Sequence, residues 1–97
     1  MKLRFSRRAI RDVADIATFI RERNPEAVGK VRASILDALK TISAFPRVGR
    51  PQSVPRVRKL VTRRYPYLIY YSIDDEASEV VILAIRHPAQ PREYTDL

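Results

Sequence analysis

The chain has no cysteine, which excludes a disulfide framework, a thiolate zinc site and a cysteine nucleophile. Its single histidine, His87, cannot build a multi-histidine metal centre, and no acidic loop has calcium-binding spacing. There are only two glycines, and neither belongs to a glycine-rich phosphate loop or a Gly-x-Ser-x-Gly elbow. Paired-carboxylate motifs are missing as well. The chain is therefore expected to hold no metal and no cofactor. No apolar run approaches the ~20 residues that span a bilayer, so no membrane role is expected. The start, Met1-Lys2-Leu3-Arg4-Phe5-Ser6-Arg7-Arg8, lacks the apolar stretch of a secretion signal, and the expected location is the cytoplasm.

What is present suits one small folded unit spanning residues 1–97. With 45% hydrophobic and 31% charged residues, the composition is that of a globular chain rather than a disordered one. At this length folding hides only about 60–65% of the unfolded surface, so stability is modest. Nineteen basic residues against eleven acids give a net charge of +8. Its placement says more than its size. Positions 38–73 contain no acid, yet hold Lys40, Arg47, Arg50, Arg56, Arg58, Lys59, Arg63 and Arg64. The other eleven basic residues balance the eleven acids, so this middle third carries the whole net charge. Such a field speeds encounters with anionic partners, whether nucleic acid or an acidic protein segment. A merely solubilising face is the plainer alternative, and thirty-six residues without one acid favour binding.

The pattern of elements is legible. Residues 2–5 read as a strand with Leu3 and Phe5 on one side, and Ser6 offers a helix N-cap. Over positions 7–23, Ile10, Val13, Ala14, Ala17 and Ile20 recur with helical period, widened by Ile16 and Phe19. Asn24-Pro25-Glu26 marks a boundary: Asn24 as cap, Pro25 at the first helical position, Glu26 near the positive helix end. A second helix is expected over 25–43, with Val28, Val31, Ile35, Ala38 or Leu39 and Ile42 inward, ended by Phe45-Pro46. So short a joint makes the two helices an antiparallel hairpin. Gly49, Pro51 and Pro55 place a loop over 47–56. Extended segments follow at 57–63, 67–73 and 80–87, the last two apolar on both faces and joined by the acidic turn Asp74-Asp75-Glu76-Ala77-Ser78.

The order β-α-α-β-β-β predicts an α+β fold, with a helical hairpin laid on one face of a twisted, mainly antiparallel sheet. The other face then needs a cover, and Leu68, Tyr70 and neighbouring tyrosines become candidates for an exposed partner patch. Tyr65, Tyr67, Tyr70 and Tyr71 lie close to Arg63 and Arg64, a pairing that can stack bases and hold phosphates. Tyr70 and Tyr71 serve equally well as packing residues. Arg86-His87 ends the last strand, with Arg92 and Tyr94 shortly after. An imidazole, a phenol and arginines together suit metal-free cleavage of RNA through its own 2′-hydroxyl. The plainer alternative is a His87 bonded to backbone at the strand end and an Arg86 that is only a surface charge.

Several segments together resemble the RelE/ParE superfamily of type II toxins. They are Phe45-Pro46-Arg47-Val48-Gly49-Arg50-Pro51, Val57-Arg58-Lys59-Leu60, Tyr65-Pro66-Tyr67-Leu68-Ile69-Tyr70-Tyr71 and Val81-Ile82-Leu83-Ala84-Ile85-Arg86-His87. The resemblance covers nearly the full chain and rests on order and spacing rather than on any one motif. It implies the hairpin-on-sheet fold and a cognate antitoxin, an acidic and partly disordered protein that folds as it wraps the toxin. Two branches differ in action: RelE-like members cleave mRNA on the ribosome, and ParE-like members poison DNA gyrase. The RelE-like pattern wants an arginine where Tyr67 stands and a basic residue near Pro88. Tyr94 matches its C-terminal tyrosine and Lys59 a basic residue of its second strand. A related His-Tyr ending is broken by Pro88 after His87. Two long helices and the Gly49-Arg50 loop look ParE-like.

The favoured expectation is thus a non-enzymatic growth inhibitor that binds DNA gyrase and is neutralised by its antitoxin. It would grip these partners through positions 50–64 and the tail after His87, using Arg50, Arg56, Arg58, Lys59, Arg63, Arg64, Tyr65, Tyr67, Arg86 and Arg92. The alternative is a ribosome-dependent mRNA endoribonuclease with Arg64, Arg86, His87 and Tyr94 as its catalytic set. A nucleic-acid-binding or scaffold module without toxicity comes third.

Overall fold

The computed structural model describes residues 1–88. Strand β1 (Lys2–Phe5) leads into helix α1 (Arg7–Arg23), and a 3-10 turn (Pro25–Ala27) joins it to helix α2 (Val28–Ala44). A second 3-10 turn (Pro46–Val48) precedes β2 (Arg50–Pro51), β3 (Val57–Val61), β4 (Leu68–Asp74) and β5 (Glu79–Arg86). The sheet order is β1-β5-β4-β3-β2. β1 runs parallel to β5, and every other pairing is antiparallel. This is the expected α+β architecture, with β2 as a two-residue addition inside the expected loop.

Ser6 does more than cap α1. Its Oγ accepts from the Ala9 amide at 3.0 Å and donates to the Leu83 carbonyl at 2.9 Å, so one hydroxyl fixes the helix start and ties it to β5. β1 ends at Phe5, which leaves the edge of β5 open beyond it. Asp12 of α1 fills that gap, since its Oδ2 accepts from the Ile85 amide at 2.9 Å. The inward side of α1 is therefore Ala9, Asp12, Ile16 and Ile20. This corrects the expected stripe: Ile10 is 60% exposed and Val13 40% exposed, and Ala14 also faces solvent. A polar residue bonded to a strand occupies the middle of the buried side, and that broke the apolar count. Asn24 is also not the expected side-chain cap of the next helix. Its backbone closes α1 instead, with its amide on the Ile20 carbonyl at 2.7 Å. Along α2 the expected residues Val31, Ile35, Ala38, Leu39 and Ile42 are buried.

The main core lies between the helices and one sheet face. It joins those α2 residues to Tyr67, Ile69, Tyr71, Val80, Ile82 and Ile85. Each fully buried aliphatic side chain there contributes about 1.5–3 kcal/mol. A β-bulge between Tyr70 and Tyr71 shifts the register against β5, so that Tyr70 faces Ala84 and Tyr71 faces Ile82. The second face carries a smaller core of Val57, Leu68, Tyr70 and Ala84, with Val54 and Leu83 packed against it. Leu68 and Tyr70 are both 0% exposed. The exposed patch expected at these two positions is thus not there. Alternation alone gave their side of the sheet but not what lies over it.

Candidate interaction surface

Strand register sorts the basic residues by face, because directly paired residues share a side. One row across the sheet reads Arg50–Lys59–Tyr70–Ala84, and the next reads Val61–Leu68–Arg86. Arg50, Lys59 and Arg86 therefore come together on the second face, away from the helices, around Leu68 and Tyr70. The acids of this face, Asp74 and Glu79, pair with each other at the far end of β4 and β5.

Arg58 has the opposite parity and a different task. Its Nη1 donates to the Gly49 carbonyl at 2.8 Å and to the Arg47 carbonyl at 3.2 Å, which ties the 3-10 turn down. Tyr71 anchors the same turn. Its hydroxyl donates to the Pro46 carbonyl at 2.7 Å and accepts from the Gly49 amide at 2.8 Å. A Cβ on Gly49 would lie 2.5 Å from Tyr71 Oη, which is why the Phe45–Pro51 motif needs glycine there. Burial pushes the Tyr71 phenol above its ordinary pKa of 10.0, a rise opposed by the Gly49 amide and the Arg58 charge.

The remaining candidates sit in the loops that flank β3. Arg56 (φ 68°) and Tyr65 (φ 51°) both adopt the left-handed backbone region, uncommon for non-glycine residues. Both are exposed, as are Arg63 and Arg64. The Arg64 carbonyl accepts from Ser34 Oγ at 2.8 Å, holding this loop to α2. Between α2 and β3 an open cleft of about 670 Å³ is lined by Lys30, Ser34, Asp37, Leu60, Val61 and Arg64, among others.

Tyr67 and His87 belong elsewhere. Tyr67 is buried in the main core, which raises its phenol above the ordinary 10.0. The His87 ring meets Tyr67 edge-on at 5.7 Å and Phe19 at 6.5 Å, and the Arg23 guanidinium caps Phe19 at 3.8 Å. Arg86 and His87 are thus adjacent in sequence and turned to opposite sides of the sheet. Arg86 is also not the surface charge of the plainer alternative, being only 6% exposed. Arg92 and Tyr94 lie outside the described residues.

Among the described residues there are four ion pairs: Arg4–Glu79, Arg8–Asp12, Arg23–Glu22 and Arg47–Asp75. Only Arg47 comes from the acid-free segment. The cations of Arg50, Arg56, Arg58, Lys59, Arg63, Arg64 and Arg86 have no acidic partner among the described residues, so their field is not cancelled by these. Among the described residues, no group of three or more His, Asp or Glu residues could hold a metal, and no helix is long and apolar enough to cross a membrane.

Comparison with known proteins extends this picture. The family model for the ParE toxin of the type II toxin–antitoxin system parDE matches residues 3–91. Y4kP of Sinorhizobium fredii is 33% identical over 89 residues, which is 92% of this chain and 90% of that protein. A chain from the chromosomal ParDE system of P. aeruginosa superposes with a TM-score of 0.76 at 29% identity, covering 90% of this chain and 95% of its own. A chain of the RelBE2 toxin–antitoxin complex from Mycobacterium tuberculosis gives a TM-score of 0.59 at 30% identity, covering 89% and 95%. The fold extends to the intact E. coli RelBE complex, with a TM-score of 0.67 at 19% identity over 92% and 98% of the two chains.

Proposed function

Starting from the fact that this chain belongs to the ParE toxin family of type II toxin–antitoxin systems, we propose that it inhibits bacterial growth by binding DNA gyrase in the cytoplasm, and that a cognate antitoxin neutralises it. The observation that carries this reading is the cationic second face. Arg50, Lys59 and Arg86 converge there without an acidic partner among the described residues. Such a surface suits binding of a large anionic or acidic partner more than proton transfer. The divergence of Arg86 and His87 supports a binder over a nuclease, because an acid–base pair must reach one scissile bond. Ion-pair-free arginines also fit an acidic antitoxin segment that orders itself on the toxin.

The test is controlled expression in a bacterial host, followed by two assays on purified protein. Growth arrest together with inhibited gyrase supercoiling is the expected result. Arrest with intact supercoiling and ribosome-dependent mRNA cleavage would replace gyrase by mRNA as the target. Normal growth would remove the toxin reading altogether. An adjacent reading frame for a small acidic protein, whose co-expression restores growth, identifies the antitoxin.

A further inference from the structure

One wall of the open cleft between α2 and β3 is a strand edge. Antiparallel alternation sends the backbone groups of successive β3 residues to opposite sides. The Thr62 amide donates inward to the Tyr67 carbonyl at 3.0 Å, whereas the Val57 carbonyl accepts outward from the Gln52 amide at 2.8 Å. Val57, Lys59 and Val61 therefore all turn their N–H and C=O groups away from β4. Gln52 and Arg50 serve the first two. Beyond Arg50 the chain leaves the sheet through the 3-10 turn Pro46–Val48, and among the described residues no strand pairs with Val61 on that side. A free strand edge is a template for another chain.

The space beside this edge is built into the fold. α2 contributes Ala33 and Ala38, which are too small to close the gap, and Val48 and Leu60 add to the apolar lining. Val48 is 46% exposed and Val61 43% exposed, so an incoming group can reach both. The Ser34–Arg64 bond fixes one end of the cleft, and the Tyr71 bonds to Pro46 and Gly49 fix the other. The α2 wall from Lys30 to Thr41 is about 16 Å long, room for about five extended residues.

The rim narrows the guest. Lys30, Arg63 and Arg64 stand there against one acid, Asp37, and all four are exposed. A nucleic acid has no amide backbone to pair with Val61 and suits a continuous cationic track better than an apolar slot. A second copy of this chain would bring like charges together. An extended polypeptide of alternating apolar and acidic residues meets the backbone edge, the apolar walls and the cationic rim at once.

We propose that the β3 edge at Val61 is a strand-addition site, which takes up one short, extended, acidic segment of a protein partner between α2 and β3. This deepens the antitoxin reading, on which the partner's identity rests, while the site itself can be tested without that partner.

The experiment follows the backbone amides of the ¹⁵N-labelled full chain by NMR. The probe is a capped Glu-Val-Glu-Val-Glu pentapeptide at constant ionic strength. The Val61 amide is expected to shift saturably and to exchange its proton about tenfold more slowly. Two further peptides carry N-methyl groups on the valines only or on the glutamates only. A guest strand shows one edge to β3, so one of these two is expected to bind about tenfold more weakly than the other. Replacing glutamate by glutamine is expected to weaken binding about fivefold. Ala33→Phe, a change at an exposed helix position that fills the cleft, is expected to abolish the response. No shift at Val61 with millimolar peptide, equal binding of the two methylated forms, equal binding of the glutamine form or full binding to Ala33→Phe would each overturn the proposal. So would protection of Val61 that rises with protein concentration alone, since a second copy would then be the occupant. Growth arrest on expression reports separately on the toxin reading, so the two can fail independently.

Discussion

Tyr70 and Tyr71 are neighbours on β4, both fully buried, and they belong to different halves of the molecule. Tyr71 points to the helix side, inside the main core, with its hydroxyl bonded to both Pro46 and Gly49. Tyr70 points to the other side, in a small core shared with Val57, Leu68 and Ala84 and edged by Lys59 and Arg86. One face spends its residues on stability. The other holds cations with no acidic partner among the described residues and a buried guanidinium whose Nε and Nη2 have no acceptor. The larger share of this small domain's apolar packing lies on the helix side.

The contrast is most directly broken by truncating one apolar residue on each face. Ile69→Ala removes a side chain from the large core and is expected to cost about 4 kcal/mol, whereas Leu68→Ala on the thinner face costs about 2 kcal/mol, both read from urea unfolding at constant m. Equal losses would mean that the second face is as firmly built as the first. A smaller effect sharpens the helix side. Gly49→Ala is expected to cost about 2–3 kcal/mol, since its Cβ collides with the Tyr71 hydroxyl. Adding Tyr71→Phe removes the nearest colliding atom but keeps Cε1 and Cζ at 2.8 and 2.9 Å from that Cβ, so a double-mutant cycle should return a partial, non-additive coupling.

Two of the buried phenols supply a pH test. Tyr67 and Tyr71 have folded pKa values raised above the ordinary 10.0, chiefly by burial. The folded chain therefore holds their protons more tightly than the unfolded chain. Their contribution is full below pH 10 and fades as pH rises through the raised values. Phenolate absorbance and unfolding followed together should show these two ionising with the alkaline transition. The smallest stability change belongs to the cationic face. Arg50→Ala and Lys59→Ala are expected to shift stability by no more than about 0.5 kcal/mol. Partner binding should slow for both and lose much of its salt dependence, as measured by association rates at two ionic strengths.

Where sequence reasoning succeeded and failed follows the same division. α2 was legible because its buried side is apolar throughout, from Val31 to Ile42. β4 and β5 were legible because apolar runs of that length, closed by an acidic turn, leave few alternatives. α1 was misjudged because Asp12 sits at the centre of its buried side and bonds to β5, an interaction between residues 73 positions apart. Periodicity cannot see such a bond. The basic segment could be counted in the sequence, but only register shows that Arg50 and Lys59 share a face with Arg86 while Arg58 turns inward to backbone carbonyls. The buried state of Arg86 had no local signal, since a charged residue at a strand end reads as surface.

The parallel pairing of β1 with β5 sets the timing of folding. Ser6 and Leu83 are bonded across 77 positions, and among the described residues β1 has no other strand beside it. Its place in the sheet cannot exist until β5 has left the ribosomal tunnel. A chain interrupted before β5 lacks the closing pair, so the domain is complete only once β5 has been made. The first strand of the chain is thus among the last parts of the sheet to be placed.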